Sequence, residues 1–171
     1  TNVRSGNCTQ NCAYCAQSKD SQAEIEKYKR VSDEKLYGDN DLVDEKHLAR
    51  HCIGLSGIGF SDEEIEDLAD RIREMKKKDT QICCSIGFLT EKQARILKDA
   101  GLDRINHNLN SSRSFYPEIC TTHTYDQRVN NIKMLQSLGF EICSGGIVGM
   151  GESKEDIVDM LMDLREINPE S

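Results

Sequence analysis

The chain has 171 residues, with 30 acidic and 22 basic side chains and a net charge of −8. That length allows one domain with a real core, and the acidic balance argues against a nucleic-acid partner, which needs a basic surface. Neither an apolar run of 18 residues nor a basic-then-apolar leader is visible, so we expect a cytoplasmic protein that binds small molecules and no membrane.

Predicted strands alternate with helical segments along the chain. The strands lie at 1–5, 51–55, 81–87, 103–109 and 140–148. This alternation predicts an α/β fold, in which a parallel sheet carries helices on its outside. About five strands do not close a barrel, which needs about eight. We therefore expect residues 1–171 to be a fragment of a single (β/α) TIM-type barrel domain, with its N-terminal lead-in and later strands absent.

The helices between these strands carry start and stop signals. Two of them are predicted at 61–77 and 153–167. Gly101 and Gly139 stand where helices should end, since glycine favours the position after a last turn. A weaker helix is expected within 31–49, where Gly38 and the polar residues after it interrupt the pattern. Capping-box pairs are Ser61 with Glu64, Thr90 with Gln93, and Thr124 with Gln127.

Three of the eight cysteines stand close together, at Cys8, Cys12 and Cys15. Disulfide frameworks belong mainly to short secreted domains, so this spacing favours metal or redox use. Three thiolates in one loop can bind three corners of a [4Fe–4S] cube and leave one iron open to a cofactor. Structural zinc prefers four ligands, and no second pair supplies the fourth. Zinc and unligated core cysteines remain the alternatives.

The octapeptide CTQNCAYC, residues 8–15, resembles the CxxxCxΦC signature of radical S-adenosylmethionine enzymes, with Tyr14 at the aromatic position. The resemblance implies that Cys8, Cys12 and Cys15 hold a [4Fe–4S] cluster. It also implies that the amino and carboxylate groups of S-adenosylmethionine chelate the open iron, and that reduction releases a 5′-deoxyadenosyl radical. Tyr14 is then expected near the adenine.

A run of asparagines follows the fourth predicted strand. Alternation points Asn106, Asn108 and Asn110 to one face, and His107 and Leu109 to the other. Three amides on one face are costly to bury unless they are paired, so we expect a polar ligand there. A solvent-facing edge strand is the alternative. His107 is expected to face the helices as a core histidine with its hydrogen bonds satisfied, rather than to be a ligand.

The segments DRINHNLNSS and TTHTYDQR resemble the YNHNLDTS and TTHTYxxR segments of the biotin synthase family. The resemblance implies that Asn106 and Asn108 lie around dethiobiotin and S-adenosylmethionine, and that Arg128 lies near the carboxylate of the latter. Asn110 stands where the family often has Asp, which holds the ribose hydroxyls. An amide can still hydrogen-bond a hydroxyl, so Asn110 remains a candidate cofactor ligand.

Three further cysteines, Cys52, Cys83 and Cys143, lie in different predicted strands. They converge on one interior point if all face inward. Alternatively they are small apolar core residues, as free cysteines often are. Cys84 is adjacent to Cys83, so alternation sends it to the opposite face.

The segments around these cysteines resemble those that bind the second cluster of biotin synthases. The resemblance implies that Cys52, Cys83 and Cys143 hold a [2Fe–2S] cluster, the sulfur donor, whose fourth ligand is an arginine on a later strand outside this chain. Cys84 and Cys120 are then non-ligands. The glycine-rich stretch GGIVGMGE resembles part of an S-adenosylmethionine site, with Gly149 and Glu152 as its candidate residues.

These resemblances together imply a partial barrel of the radical S-adenosylmethionine kind, with about five parallel strands and outer helices. They imply a sulfurtransferase that converts dethiobiotin to biotin, takes electrons from a protein such as flavodoxin or ferredoxin, and forms a homodimer at full length. Two alternatives stay open. One is another radical enzyme on the same barrel, similar to methylornithine synthase or to a hydrogenase-maturation protein. The other is a non-catalytic iron–sulfur or zinc-binding module.

Overall fold

A computed structural model describes residues 1–170. Five strands form one sheet in sequential order, and each neighbouring pair is parallel. They are β1 (Asn2–Arg4), β2 (Arg50–Leu55), β3 (Gln81–Ser85), β4 (Arg104–Asn106) and β5 (Glu141–Cys143). Within the described residues β1 and β5 are the two edges of the sheet. The predicted partial barrel of parallel strands is therefore confirmed.

The helices cover the outer face of the sheet. They are α1 (Asp33–Glu45), α2 (Asp62–Met75), α3 (Glu91–Asp99), α4 (Tyr116–Ile119), α5 (Tyr125–Ser137) and α6 (Lys154–Ile167). All three predicted capping boxes form. A fourth, between Ser153 and Asp156, was not predicted, because its third helical residue is Asp rather than Glu or Gln. No helix in the described part of the chain is long and apolar enough to cross a bilayer.

Alternating rows of the sheet separate an apolar core from a polar concave face. One row in register consists of Ile53, Cys84, Ile105 and Ile142. Its members are 0–2% exposed and pack against the helices. The next row consists of Cys52, Cys83, Arg104 and Glu141. Because side chains alternate along each strand, this second row faces the other way, as predicted for Cys83 and Cys84.

The last two strands are shorter than the predicted spans 103–109 and 140–148. β4 leaves the ladder after Asn106, and β5 after Cys143. Beyond them one isolated parallel bridge joins Asn110 to Gly146, and Asn110 has a left-handed φ of 70°. The residues past each strand end therefore form rim loops at the carboxyl edge of the sheet, where ligands bind in parallel α/β folds.

The predicted interruption of the first helix at Gly38 is wrong, because α1 runs unbroken through that residue. Asn40, which suggested a turn, is buried in the helix. Its amide nitrogen donates to the Met75 carbonyl at 3.2 Å, and its amide oxygen lies 3.1 Å from His51 Nδ1. Tertiary contacts therefore override the poor helix propensity of this segment.

Candidate metal and cofactor site

A cavity of about 300 Å³ opens at the carboxyl edge of the sheet. The predicted site residues that line it are Cys8, Cys12, Tyr14, Cys15, Asn106, Asn108, Asn110 and Arg128. They come from the loop after β1, from the end of β4 and its rim loop, and from α5. Among the described residues that line the cavity none is acidic, while Arg4 and Arg128 are cationic. The lining therefore suits an anionic ligand.

The cysteine loop follows β1 directly, as a barrel site requires. Cys12 is buried, and Cys8 and Cys15 are half-buried. The Ala13 amide donates to the Ile119 carbonyl at 2.9 Å, and the Asn11 amide nitrogen donates to the Thr121 hydroxyl at 2.7 Å. These bonds fix the loop against the chain that follows α4. All eight cysteines are free thiols.

Cys12 lies beside a second buried thiol, that of Cys120, which was predicted to be a non-ligand. Its Sγ is 3.7 Å from the Sγ of Cys120, which is 3% exposed. Burial, followed by the neighbouring Cys120 thiol, raises the pKa of Cys12 to about 12 in the metal-free protein. A metal that binds Cys12 must therefore displace a proton from it. No local sequence pattern indicates this contact, since the two residues are 108 positions apart.

Tyr14 and Asn110 are joined at the rim of the cavity. The Asn110 amide nitrogen donates to the Tyr14 hydroxyl at 2.6 Å. Burial raises the pKa of the Tyr14 phenol, so the hydroxyl stays protonated. The contact spans 96 residues of sequence, and it brings together two residues that were predicted separately as cofactor ligands.

The Arg128 guanidinium is held in the cavity wall by three partners. It donates to the Asn108 carbonyl at 3.1 Å and to the Tyr116 hydroxyl, and it lies 3.0 Å from His123 Nε2. Burial, followed by the charge of Arg128, lowers the pKa of His123 to about 4. His123 is therefore neutral at pH 7, and Arg128 is a fixed positive charge at the cavity.

The three strand cysteines meet on the concave face. Cys52 and Cys83 are in register across β2 and β3, and Cys143 is in register with Asn106 across β4 and β5. The Asn106 amide nitrogen donates to Cys143 Sγ at 3.3 Å. Burial, followed by the nearby Cys52 and Cys143 thiols, raises the pKa of Cys83 to about 12. The three sulfur atoms are thus close enough to influence one another electrostatically.

Arg104 belongs to this cluster of thiols, although the sequence reasoning assigned it no role. It is 7% exposed and in register with Cys83 and Glu141. Its guanidinium donates to the Glu141 carboxylate at 2.5 Å. That hydrogen bond, with smaller contributions from Cys83 and Cys143, raises the pKa of Arg104. The position of Arg104 on this face could have been predicted from its spacing from Asn106, because residues two apart on a strand share a face.

Two predicted cofactor residues, Gly149 and Glu152, lie outside the lining of this cavity. The Glu152 carboxylate instead accepts hydrogen bonds from the backbone amides of Gly149 at 2.6 Å and Met150 at 2.7 Å. These bonds lower the pKa of Glu152. The two residues therefore form one turn, and its members Met150 and Gly151 border a neighbouring cavity together with Tyr14.

His107 is buried, as expected, with its ring centroid 5.3 Å from that of Phe88. It also borders the cavity. Its Nε2 atom has no hydrogen-bond partner within residues 1–170, so it is not the fully satisfied core histidine that was predicted. Burial, followed by the charge of Arg128, lowers the pKa of His107 to about 3. The ring is therefore neutral, which is the cheaper state for an unpaired buried imidazole.

The sequence profile of the radical SAM superfamily matches residues 2–164, nearly the whole chain. The chain belongs to the radical SAM superfamily. Superfamily membership agrees with the cysteine loop after β1 and with the cavity at the strand ends.

Several biotin synthases are 40–45% identical to the chain. Biotin synthase from Rhodopirellula baltica is 43% identical over 171 residues, which cover 99% of this chain and 48% of that protein. Biotin synthase from Acaryochloris marina is 45% identical over 165 residues, which cover 96% of this chain and 48% of that protein. Biotin synthase from Bacillus subtilis is 40% identical over 171 residues, covering 99% and 51%. The chain spans about half the length of the curated relatives it matches.

Solved structures share the fold of this radical SAM chain. Methylornithine synthase (PylB) superposes with a TM-score of 0.78 at 18% identity, over 98% of this chain and 50% of that one. The [FeFe]-hydrogenase maturase HydG from Carboxydothermus hydrogenoformans superposes with a TM-score of 0.78 at 19% identity, over 98% of this chain and 40% of that one. At such identities the likeness establishes the barrel architecture alone.

The residues of the cavity fit a radical SAM cluster. Cys8, Cys12 and Cys15 are free thiols on one loop that borders one cavity, and a cube leaves its fourth iron open when a protein supplies three ligands. Arg128 lines the same space and would help to balance the negative charge of metal-bound thiolates there. The strand thiols fit a second, separate iron–sulfur cluster, since three sulfur atoms and the cation of Arg104 share the concave face.

Proposed function

We propose that the protein acts as a biotin synthase, which inserts sulfur into dethiobiotin with S-adenosylmethionine as the radical source. The observation that supports this most directly is the second set of thiols. Cys52, Cys83 and Cys143 lie on three different strands, yet they face one another on the concave side of the sheet. Three thiols in this arrangement suit a second iron–sulfur cluster, the sulfur donor of the proposed reaction.

The first set of thiols serves radical initiation in this proposal. Cys8, Cys12 and Cys15 hold a [4Fe–4S] cluster, and together with S-adenosylmethionine this cluster supplies a 5′-deoxyadenosyl radical when bound. Arg128 is rigidly held and borders the cavity, so it suits the carboxylate of the cofactor.

Five other residues bind the rest of the cofactor in this proposal. Tyr14 lies near the adenine, while Asn108 and Asn110 offer amides to the ribose and the methionyl group. The turn of Gly149 and Glu152 closes the side of the site next to Tyr14, where Met150 borders the neighbouring cavity. The Tyr14–Asn110 hydrogen bond keeps both side chains in place before the cofactor arrives.

The strand thiols hold a [2Fe–2S] cluster in this proposal, and that cluster is the sulfur donor. Asn106 contacts Cys143 and also borders the cavity, so dethiobiotin binds at Asn106 and Asn108, between the two clusters. Arg104 offsets the negative charge of the thiolates. We place the fourth ligand, an arginine, on a later strand of the same barrel domain, outside residues 1–171.

The partners of the whole protein follow from the same proposal. Dethiobiotin is the small-molecule substrate, a flavodoxin or ferredoxin delivers electrons, and two copies associate as a homodimer. The net charge of −8 argues against a nucleic-acid partner.

Product analysis separates this proposal from its alternatives. The full-length protein, reconstituted anaerobically with iron and sulfide and then reduced, should convert dethiobiotin to biotin and release 5′-deoxyadenosine. Mössbauer spectroscopy should detect both [4Fe–4S] and [2Fe–2S] clusters. Release of 5′-deoxyadenosine without biotin would indicate another radical enzyme, whereas a protein that releases neither would be a binding module.

A further inference from the structure

Three potential metal ligands meet in a group that shares one residue with the cysteine loop and contains two residues assigned to neither cluster. Within the described residues, Cys12, Cys120 and His123 form a group whose ligand atoms all lie within 4.8 Å of one another. Only Cys12 belongs to the cysteine loop. Cys120 follows α4, and His123 precedes the first turn of α5. All three residues are buried, at 8%, 3% and 6% exposure.

The distances within this group match those of a single tetrahedral ion. Zinc binds sulfur at about 2.3 Å and nitrogen at about 2.0 Å, so tetrahedral ligands stand about 3.8 Å apart for two sulfurs and about 3.5 Å apart for sulfur and nitrogen. Cys12 Sγ and Cys120 Sγ are 3.7 Å apart, and Cys120 Sγ is 3.3 Å from His123 Nδ1. A disulfide, by contrast, requires about 2.05 Å between the sulfurs.

The surroundings of the imidazole suit a metal ligand. A ligating histidine usually hydrogen-bonds through its other ring nitrogen, which fixes the ring orientation. With Nδ1 on the metal, Nε2 of His123 can donate to the Tyr116 hydroxyl, which lies 2.9 Å away. In the metal-free protein Arg128 donates to Nε2 at 3.0 Å, and a metal on Nδ1 replaces that hydrogen bond by the one from Nε2 to Tyr116. Arg128 then keeps the Asn108 carbonyl and the Tyr116 hydroxyl as acceptors.

A fourth ligand position and the overall charge are also compatible with zinc. Gln10 Oε1 lies 3.1 Å from His123 Nδ1, so an amide oxygen or a water can complete the tetrahedron. Two thiolates and a neutral imidazole around Zn²⁺ give a complex with no net charge. Such a complex avoids the cost of burying an unbalanced ion.

We propose that Cys12, Cys120 and His123 form a zinc-type site for a divalent metal in the cluster-free protein. Cys12 cannot serve this ion and the [4Fe–4S] cluster at once, so the two are mutually exclusive. The site therefore makes cluster assembly sensitive to zinc. The inference concerns the protein before its clusters are built, and it does not require that the mature protein make biotin.

Cobalt(II) binding tests the site directly, because thiolate ligands give cobalt a charge-transfer absorption. The full-length protein, freed of clusters by anaerobic chelation, should bind one Co²⁺ with this absorption, and Zn²⁺ should displace it. Cys120→Ser and His123→Ala should each weaken zinc binding by at least about 100-fold, since each removes a direct ligand. His123→Ala provides an independent reading if Cys120→Ser does not fold.

Cys8→Ala and Cys15→Ala are the matched controls, because each removes a thiol from the same loop but not from the proposed site. Both should retain the cobalt absorption and the zinc affinity. The proposal is overturned if the wild-type protein lacks a tight site. It is also overturned if Cys8→Ala abolishes binding while Cys120→Ser and His123→Ala retain it, since zinc would then use the cysteine loop alone.

Reconstitution kinetics give a second reading. Zinc added before iron and sulfide should slow the appearance of cluster absorbance in the wild-type protein. Cys120→Ser should relieve that inhibition, because Cys12 is then no longer held by a tight ion. Equal inhibition of both proteins would contradict the proposal.

Discussion

Asn110 shows how single residues prepare the cavity. Its backbone has a φ of 70°, a left-handed conformation that asparagine adopts more readily than most residues. Its side chain donates to the Tyr14 hydroxyl at 2.6 Å. One residue thus satisfies a backbone requirement of the rim loop and fixes the aromatic side chain of the cysteine loop.

Substitution of Asn110 can separate these two contributions. Asn110→Ala should lower the free energy of unfolding by about 2 kcal/mol, since it loses a hydrogen bond and leaves a β-carbon in the left-handed region. Asn110→Gly should cost about half as much, because glycine adopts that backbone conformation without strain. Denaturant titration of both variants gives the comparison, and an equal loss would show that the backbone conformation contributes nothing.

The loops at the ends of the strands differ in how closely they are packed. Gly87, just after β3, leaves no room for a side chain: a β-carbon there would lie 2.4 Å from the Ile58 carbonyl oxygen. Gly145, just after β5, has nothing within 4 Å of the same position. The cavity edge next to β2 and β3 is therefore rigidly defined by backbone contacts.

This difference predicts that alanine at the two positions changes the stability of the protein by very different amounts. Gly87→Ala should destabilise the protein by about 1–3 kcal/mol, as overpacking of a close contact does. Gly145→Ala should be nearly neutral, because it enters open space. Urea unfolding measures both, and a neutral Gly87→Ala would mean that the loop after β2 yields to the added methyl group.

The start of α6 depends on one carboxylate. Asp156 accepts hydrogen bonds from the hydroxyls of Ser112, Ser114 and Ser153 at 2.6–2.7 Å. The Ser112 hydroxyl is the largest of the contributions that lower the pKa of Asp156 well below its usual range. The capping box thus ties α6 to the turn before α4.

A lowered carboxylate pKa stabilises the fold above the unfolded pKa of about 3.9, and this contribution is lost as pH falls toward the folded value. Asp156→Ala should therefore lower Tm by a few degrees at pH 7. The difference in Tm between Asp156→Ala and the wild-type protein should shrink as the pH is lowered below about 4. Glu155→Ala, an exposed change in the same turn, is the control. If the Tm difference between Asp156→Ala and the wild-type protein does not change with pH, the role of the carboxylate is contradicted.

Local sequence patterns predicted the features that depend on residues close together in the chain, namely strand faces and helix starts. Alternation correctly placed Cys84 in the core and Cys83 on the other face, and three capping boxes correctly marked helix starts. The unbroken α1 could not be predicted, because Asn40 is held by Met75, 35 residues away. The contact of Cys12 with Cys120 was likewise invisible, since only the folded barrel brings these residues together.

At the scale of the whole molecule, the sheet separates two sets of thiols by topology. One set lies on a single loop after β1, and the other is distributed over β2, β3 and β5. The first depends on local chain geometry, whereas the second exists only when the strands are in register. In the proposed function, this separation puts radical initiation and sulfur donation at different places on one barrel.

Product analysis of two variants of the full-length protein tests the proposed roles most directly, with Cys12 as a ligand of the cluster that cleaves the cofactor and Cys143 as a ligand of the sulfur donor. Cys12→Ala should abolish both 5′-deoxyadenosine and biotin, because it removes a ligand from the cluster that cleaves the cofactor. Cys143→Ala should still release 5′-deoxyadenosine but yield no biotin, because it spares the first cluster and removes a ligand from the sulfur donor. A normal yield of biotin from Cys143→Ala would contradict the account.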